Sequence, residues 1–269
     1  MRGRMIALSV PRRMVLDLLY FARAVPTVPV QKRMALGKLA KARAACAKRP
    51  RWTAIFTKAY ALMAREFPEF RRAYVKLPWP HLYEYPASNA TVIIERDYHG
   101  EPGLFSLSIK EPARAPLREV ERQIEHASTA PVEAIKDFRR AISFSRLPAW
   151  LRRPFWWLCL NVGRQRGNYF GTFGISVYSA LQAESLHPLS PLTTLLNYGV
   201  MAGDGSLDVR IMYDHRVMDG ATVARALARL EDILNTALLA EVRALAGPSK
   251  TKAAPGAPSG RPRRRRPSR

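Results

Sequence analysis

The residue of this sequence whose type and position best suit chemistry is a histidine, His215. An imidazole titrates near neutral pH, so it can accept a proton and return it under working conditions. An isolated histidine is more often an ordinary, partly exposed side chain than a catalytic group. The interpretation of His215 therefore depends on the elements on either side of it.

The residues before His215 predict a half-buried strand, because apolar and polar residues alternate over 207–213. The apolar residues after it recur at steps of three and four, which predicts one face of a helix. That face carries Val223, Leu227, Leu230, Leu234 and Leu238. His215 thus lies at a predicted strand-to-helix junction, with Asp219 as the helix cap and Gly220 as the flexible residue of the turn.

The whole junction, YDHRVMDGA over Tyr213–Ala221, resembles the active-site signature His-x-x-x-Asp-Gly of the coenzyme A-dependent acyltransferases. That superfamily contains the catalytic domains of 2-oxoacid dehydrogenase acyltransferase subunits and chloramphenicol acetyltransferase, and the flanking residues are more similar to the dehydrogenase subunits. The resemblance implies an α/β fold (an α+β two-layer sandwich) of the chloramphenicol acetyltransferase type, with a mixed β-sheet covered by helices. It also implies a homotrimer whose active sites lie between subunits.

A second segment, GTFGIS over Gly171–Ser176, resembles the Gly-Thr-Phe-Thr-Ile-Ser segment of the same family, with Gly174 in place of the second threonine. The family's serine donates its hydroxyl to the oxyanion of the tetrahedral intermediate, and Ser176 occupies that position. Two departures follow it. The sequence has Val-Tyr-Ser at 177–179 where the family has Asn-Leu-Gly, and His-Pro-Leu-Ser-Pro at 187–191 replaces an Asn-Pro-Pro type of loop.

The resemblance assigns a role to each site residue. His215 is the general base that deprotonates the attacking thiol, and Ser176 is the oxyanion donor. Asp219 is mainly structural and pairs with an arginine of the amino-terminal segment, either Arg12 or Arg13. The co-substrate is a coenzyme A thioester; no metal is expected, and the chain has no lipoyl attachment site. Residues that hold coenzyme A cannot be assigned from the sequence.

The preceding elements follow the order of the family. The patterns predict a helix over Met5–Ala24 entered through Pro11, an extended segment over Val25–Met34, and helices over Gly37–Lys48 and Thr53–Phe67, the last ended by Pro68. They also predict strands over Thr91–Glu95, Leu104–Ile109, Phe170–Val177 and Leu195–Met201, and a helix that starts at Pro116.

The segment Leu147–Arg166 is the most individual part of the chain, because three tryptophans, a phenylalanine and several leucines lie there among four arginines. It is interpreted either as a surface element on lipid headgroups or over an acyl substrate, or as a core or subunit-interface helix with basic flanks. Pro154 is expected to limit any continuous helix to the part after it.

Composition indicates one sizeable domain and a basic extension. The formal net charge is +23, of which residues 248–269 contribute eight Lys or Arg and no acid. We therefore predict an acyltransferase domain over 1–247 and a disordered tail over 248–269. The tail is a solubilising extension or makes weak, non-specific contact with nucleic acid or anionic lipid.

The two cysteines, Cys46 and Cys159, lie far apart, and no run of eighteen apolar residues exists, so a reducing, cytoplasmic location is expected. The resemblance covers Arg12–Ala246 without a lipoyl domain, which favours a stand-alone acyltransferase with an unidentified acceptor. The alternatives are a catalytically inactive trimeric scaffold or binding protein of the same fold, and a basic protein that binds nucleic acid or a membrane surface.

Overall fold

The computed structural model describes residues 3–178 and 181–246. The predicted tail over 248–269 lies outside the described residues. The helices are α1 (Val10–Ala22), α2 (Gly37–Ala44), α3 (Trp52–Glu66), α4 (Leu117–Thr129), α5 (Lys136–Ser145), α6 (Ala149–Asn161), α7 (Gly163–Tyr169), α8 (Gly220–Ile233) and α9 (Leu239–Ala246). The strands are β1 (Thr27–Ala35), β2 (Arg72–Val75), β3 (His81–Glu84), β4 (Asn89–Tyr98), β5 (Glu101–Lys110), β6 (Phe173–Ile175), β7 (Thr194–Tyr198) and β8 (Ser206–Asp214).

Six of the strands form one mixed sheet in the order β1-β8-β7-β6-β4-β5. Strand β6 runs parallel to both of its neighbours, and the other pairs are antiparallel. Strands β2 and β3 form a separate hairpin. Helices α3, α4 and α8 pack against the sheet, and α3 contacts both other helices, so a helical layer covers the sheet. This is the predicted two-layer α/β architecture.

The best-predicted region is the β8–α8 unit. All five apolar residues predicted for one helix face are fully buried, because α8 packs on β1, β8 and α3. Helix α8 continues through a π-helical turn (Leu234–Leu238) into α9. Burial of this apolar face is the main source of stability that such a helix gains.

Three predictions need correction. Helix α1 begins at Val10 rather than Met5, and its buried face carries Asp17 while Leu19 points to solvent. Pro154 lies inside α6 rather than before a helix. Its ring leaves the carbonyl of Trp150 without a helical partner, and both residues are exposed, so water can satisfy that group. The β2–β3 hairpin was not predicted, because each of its strands has only four residues.

No helix in the described part of the chain is long and apolar enough to cross a membrane.

Candidate active site

His215 lies on the five-residue loop that joins β8 to α8. Its backbone N–H donates to the carbonyl of Pro26 at 3.1 Å, and the N–H of Val217 donates to the carbonyl of Asp214 at 3.0 Å. These bonds hold the loop against the end of β1. The His215 side chain is about half exposed, so its ring is accessible to a substrate.

Asp214, the last residue of β8, fixes the start of the loop. Its carboxylate is fully buried and accepts three bonds from Arg216: from the backbone N–H at 3.0 Å, from Nε at 2.9 Å and from Nη2 at 2.7 Å. The guanidinium of Arg216 lies 4.5 Å from the centre of the Tyr74 ring. A buried carboxylate is stable only when it is paired in this way. Asp214 and Arg216 flank His215, and the ion pair between them therefore clamps the loop at His215. The sequence did not predict this role.

Asp219 occupies the predicted capping position of α8. Its backbone is extended, and its carbonyl accepts from Thr222 at 3.0 Å and from Val223 at 3.2 Å. Its side chain makes no capping bond and is 83% exposed, with Oδ1 3.7 Å from Nδ1 of His215. The carboxylate thus lies beside the imidazole, beyond hydrogen-bond distance.

The arginine predicted to pair with Asp219 is not beside it within one chain. Arg13 donates from Nε to the carbonyl of Leu8 at 3.0 Å, and Arg12 is exposed near the start of α1. In the part of the chain that the structure describes, the only ion-pair partner of Asp219 is His215. The physical reason is that α1 is anchored elsewhere, by the buried ion pair of Asp17 with Arg152.

Ser176 directly follows β6. Its N–H donates to the carbonyl of Leu196 at 3.2 Å, and its carbonyl accepts from Nδ2 of Asn197 at 2.6 Å. The residue borders a cavity of about 230 Å³ whose walls include Ile93, Leu104 and Glu95. A mainly apolar cavity with one carboxylate beside a hydroxyl is a suitable size for a small acyl or acceptor group.

Gly174, the departure from the family segment, has a packing reason. A Cβ at this position would lie 2.5 Å from Cδ1 of Leu195 on the neighbouring strand, so a larger residue here requires the Leu195 side chain to move. The glycine therefore affects the packing between β6 and β7. It does not change the position of Ser176 directly after β6.

A group of polar side chains next to Ser176 was also not predicted from the sequence. Asn197 on β7 is paired with Arg210 on β8, and Arg210 donates to Glu184 at 2.9 Å. This hydrogen bond lowers the pKa of Glu184 below its usual value. Asn197 and Arg210 are polar residues inside strands that are almost entirely buried, and buried polar groups of this kind are usually hydrogen-bonded.

One chain does not bring Ser176 and His215 together. Ser176 lies beside Asn197, which is paired with Arg210, and His215 follows Arg210 by five positions. Five strand residues span about 16 Å, and two interstrand spacings add about 10 Å across the sheet. Within a single chain, one thioester group is therefore too small to contact both side chains at hydrogen-bond distance.

No group of three or more His, Cys, Asp or Glu side chains with the arrangement of metal ligands is present within residues 3–178 and 181–246. Both cysteines are buried free thiols, and burial raises the pKa of Cys159.

The sequence matches no protein-family model and no curated protein at a significant level. Solved structures do match. A probable dihydrolipoamide acetyltransferase from Listeria monocytogenes 4b F2365 is 15% identical with a TM-score of 0.63, over 94% of this chain and 98% of that one. The dihydrolipoamide acetyltransferase of Azotobacter vinelandii is 18% identical with a TM-score of 0.63, over 91% and 94%. A chloramphenicol acetyltransferase is 14% identical with a TM-score of 0.52, over 84% and 98%.

The chain therefore has the chloramphenicol acetyltransferase-like fold, and its structural neighbours are acyltransferases. Within that fold, its likeness extends over nearly the whole catalytic domain of the dihydrolipoamide acetyltransferases. The predicted fold class and the predicted resemblance are confirmed at the level of architecture.

Proposed function

We propose that this protein is an acyltransferase that moves an acyl group between a coenzyme A or carrier thioester and an acceptor not yet identified. The observation that carries the proposal is His215, accessible on a loop that Asp214 and Arg216 clamp, in a fold whose neighbours are acyltransferases. In the Azotobacter enzyme a serine, a histidine and an asparagine are described in the catalytic mechanism, the last two four positions apart. His215 and Asp219 have the same spacing.

The proposed chemistry follows from ordinary pKa values. The pKa of a thiol is about 8.5, so at neutral pH the thiol attacks slowly until a base removes its proton. The imidazole of His215 takes that proton as the thiol attacks the thioester carbonyl. Asp219, 3.7 Å away, then favours the imidazolium that forms.

Attack places negative charge on the carbonyl oxygen. A hydroxyl oriented beforehand toward that oxygen lowers the barrier by about 3 kcal/mol, and Ser176 is the proposed donor. Collapse of the tetrahedral intermediate expels the coenzyme A thiolate, which recovers the proton from His215. Bonds and protons then balance without a metal or a redox step.

The proposal includes a homotrimer with the site between copies, and the separation of Ser176 and His215 within one chain supports an arrangement in which the two residues come from different copies. The excess positive charge of the chain would attract the phosphates of coenzyme A. The two free thiols support a reducing, cytoplasmic setting.

The test measures thiol release from acetyl-, short-chain and long-chain acyl-coenzyme A with a panel of thiol, hydroxyl and amine acceptors. The purified chain is used with no other subunit added, because the proposed enzyme is stand-alone. We expect acceptor-dependent release that His215→Ala lowers by about 10²-fold or more. His81→Ala, which removes a histidine outside the motif, is the matched control.

The inactive scaffold is the other outcome. The observation that favours it is that Asp219 is 83% exposed and forms no ion pair with an arginine among residues 3–178 and 181–246. No release with any donor, together with no binding of coenzyme A by calorimetry, would leave a scaffold or binding protein of this fold.

A further inference from the structure

Two helices of this chain each bury one charged residue and expose several large apolar side chains. A surface helix normally buries its apolar face and exposes its charges. In α6, Arg152 is 6% exposed whereas Trp150 is 73% exposed. In α1, Asp17 is 2% exposed whereas Leu19 is 39% exposed. Each helix therefore turns one charged side chain inward and large apolar side chains outward.

The inward charges bind the two helices to each other. The guanidinium of Arg152 donates two hydrogen bonds to the carboxylate of Asp17, and Arg153 approaches the same carboxylate at 3.5 Å. Beside this pair, the rings of Phe21 and Trp156 stack with centroids 5.6 Å apart and planes 14° apart. The outward faces of α1 and α6 are thus held on one rigid pair of helices.

We call the outward faces of this pair the α1–α6 surface. Its largest exposed apolar side chains are Leu19, Tyr20, Trp150, Leu151, Phe155 and Trp157. Large contiguous exposed apolar patches mark binding sites on soluble proteins. Each helix has 13 residues, about 20 Å of length, against a hydrocarbon core of about 30 Å. The surface can lie on a bilayer but does not cross one.

The charged side chains that α1, α6 and the end of α1 leave exposed are arginines. Arg12 and Arg23 lie at the two ends of the exposed face of α1, and the guanidiniums of Arg23 and Arg153 lie 4.8 and 4.4 Å from the centre of the Tyr20 ring. The sequence from 138 to 183 contains seven arginines and neither Asp nor Glu. The only acid of α1, Asp17, is buried in the ion pair with Arg152.

This combination favours a membrane over a second copy that docks by the same surface. A second copy that docks by the same surface would bring the same arginines together, and the surface has no free carboxylate to offset them. An anionic bilayer supplies an apolar layer for the aromatic rings and phosphates for the arginines. We propose that the α1–α6 surface binds the interface of an anionic lipid membrane.

Binding there would bring the catalytic loop close to the membrane. Only residues 23–25 separate Ala22, the end of α1, from Pro26, whose carbonyl accepts the N–H of His215. Four residues span at most about 14 Å. The proposal itself stands on the surface and does not depend on acyl transfer.

The test is co-sedimentation of the full chain with two kinds of vesicle, one of pure phosphatidylcholine and one of phosphatidylcholine and phosphatidylglycerol in equal amounts. We expect binding to the second kind, weakened by salt. Trp150→Ser/Trp157→Ser should lower the partition coefficient by about tenfold or more. Trp150→Phe/Trp157→Phe, which keeps apolar rings, should retain most of the binding. Every variant keeps residues 248–269, so a difference between variants reports the α1–α6 surface and not the tail.

A second measurement needs no variant: vesicles with brominated acyl chains should quench the tryptophan emission of the wild-type protein. Circular dichroism and sedimentation velocity check that the serine variant stays folded and keeps its oligomeric state. Equal vesicle binding by the wild type and the serine variant overturns the proposal. Loss of oligomers in the serine variant with unchanged vesicle binding also overturns it and makes the surface a contact between copies.

Discussion

Ser176 and His215 lie at different positions along the strands of the same sheet, about 16 Å apart in the strand direction. Ser176 is beside Asn197 on β7, and Asn197 pairs with the middle residue of β8. His215 lies just beyond the end of β8. If both act on one acyl group, the hydroxyl and the imidazole come from different copies of the chain. The rotational symmetry of a trimer would then give each copy one complete site with a neighbour.

Mixing two inactive variants tests this arrangement. His215→Ala and Ser176→Ala should each be nearly inactive alone, and mixed oligomers of the two should recover activity. If copies mix at random, about a quarter of the sites carry both intact residues. The measurement is acyl-transfer rate after co-expression with two different affinity tags.

The control for this mixture replaces the serine variant with a His215→Ala/Ser176→Ala double variant, which supplies no intact histidine and should recover nothing. Mixed oligomers that form and stay inactive would contradict a shared site.

The clamp on the catalytic loop gives a second prediction. Arg216→Ala leaves the fully buried carboxylate of Asp214 without its guanidinium partner. We expect the free energy of unfolding to fall by about 3 kcal/mol, because an uncompensated buried charge is costly. Activity measured well below the melting temperature should fall as well, because the loop that positions His215 loosens.

Arg225→Ala is the matched control, since this arginine is exposed on α8 and, among the described residues, bonds only to Thr222. Its effect on urea unfolding should stay within about 0.5 kcal/mol. Equal effects of the two substitutions would show that the clamp is unimportant.

The sequence predicted the elements whose periodicity is local and regular. The β8–α8 unit was placed within a residue or two, because the spacing of three and four follows from burial of one helix face. The prediction that the strand is half-buried was wrong, because β8 is buried on both faces except at Asp208. The sequence also identified Ser176 and His215 as candidates. Their separation within one chain depends on the register of three strands, which no local pattern encodes.

The burial of a charged residue in α1 and in α6 could not be predicted from the sequence for the same reason. Arg152 is buried only because Asp17, 135 positions earlier, meets it. Each residue alone is typical of a solvent-exposed position. The predicted pairing of Asp219 with Arg12 or Arg13 was inherited from a family, and within one chain the anchoring of α1 by Asp17 leaves both arginines elsewhere.

That anchoring pair gives a third prediction. Asp17→Ala and Arg152→Ala should each lower the free energy of unfolding by about 3–5 kcal/mol, because each leaves one buried charge unpaired. The Asp17→Leu/Arg152→Met double variant should be much closer to wild type than either single variant. Urea unfolding measures all three, and an additive double variant would contradict a direct coupling between the two side chains.

The last prediction concerns the contact that places α7, which leads into β6 and Ser176. A Cβ on Gly163 would lie 2.2 Å from Cγ of Tyr83 in the β2–β3 hairpin. We expect Gly163→Ala to lower the free energy of unfolding by about 1–3 kcal/mol through overpacking. Adding Tyr83→Ala should restore part of the loss, because it removes the ring that the new methyl group meets.

Gly203→Ala is the matched control for Gly163→Ala, since no heavy atom lies within 4 Å of its added Cβ. It should leave stability nearly unchanged or raise it by a few tenths of a kcal/mol, because alanine restricts the unfolded chain more than glycine does. Thermal unfolding of the four proteins measures the comparison. If Gly163→Ala matches Gly203→Ala, the hairpin does not hold α7, and the end of β6 at Ser176 is positioned by the sheet alone.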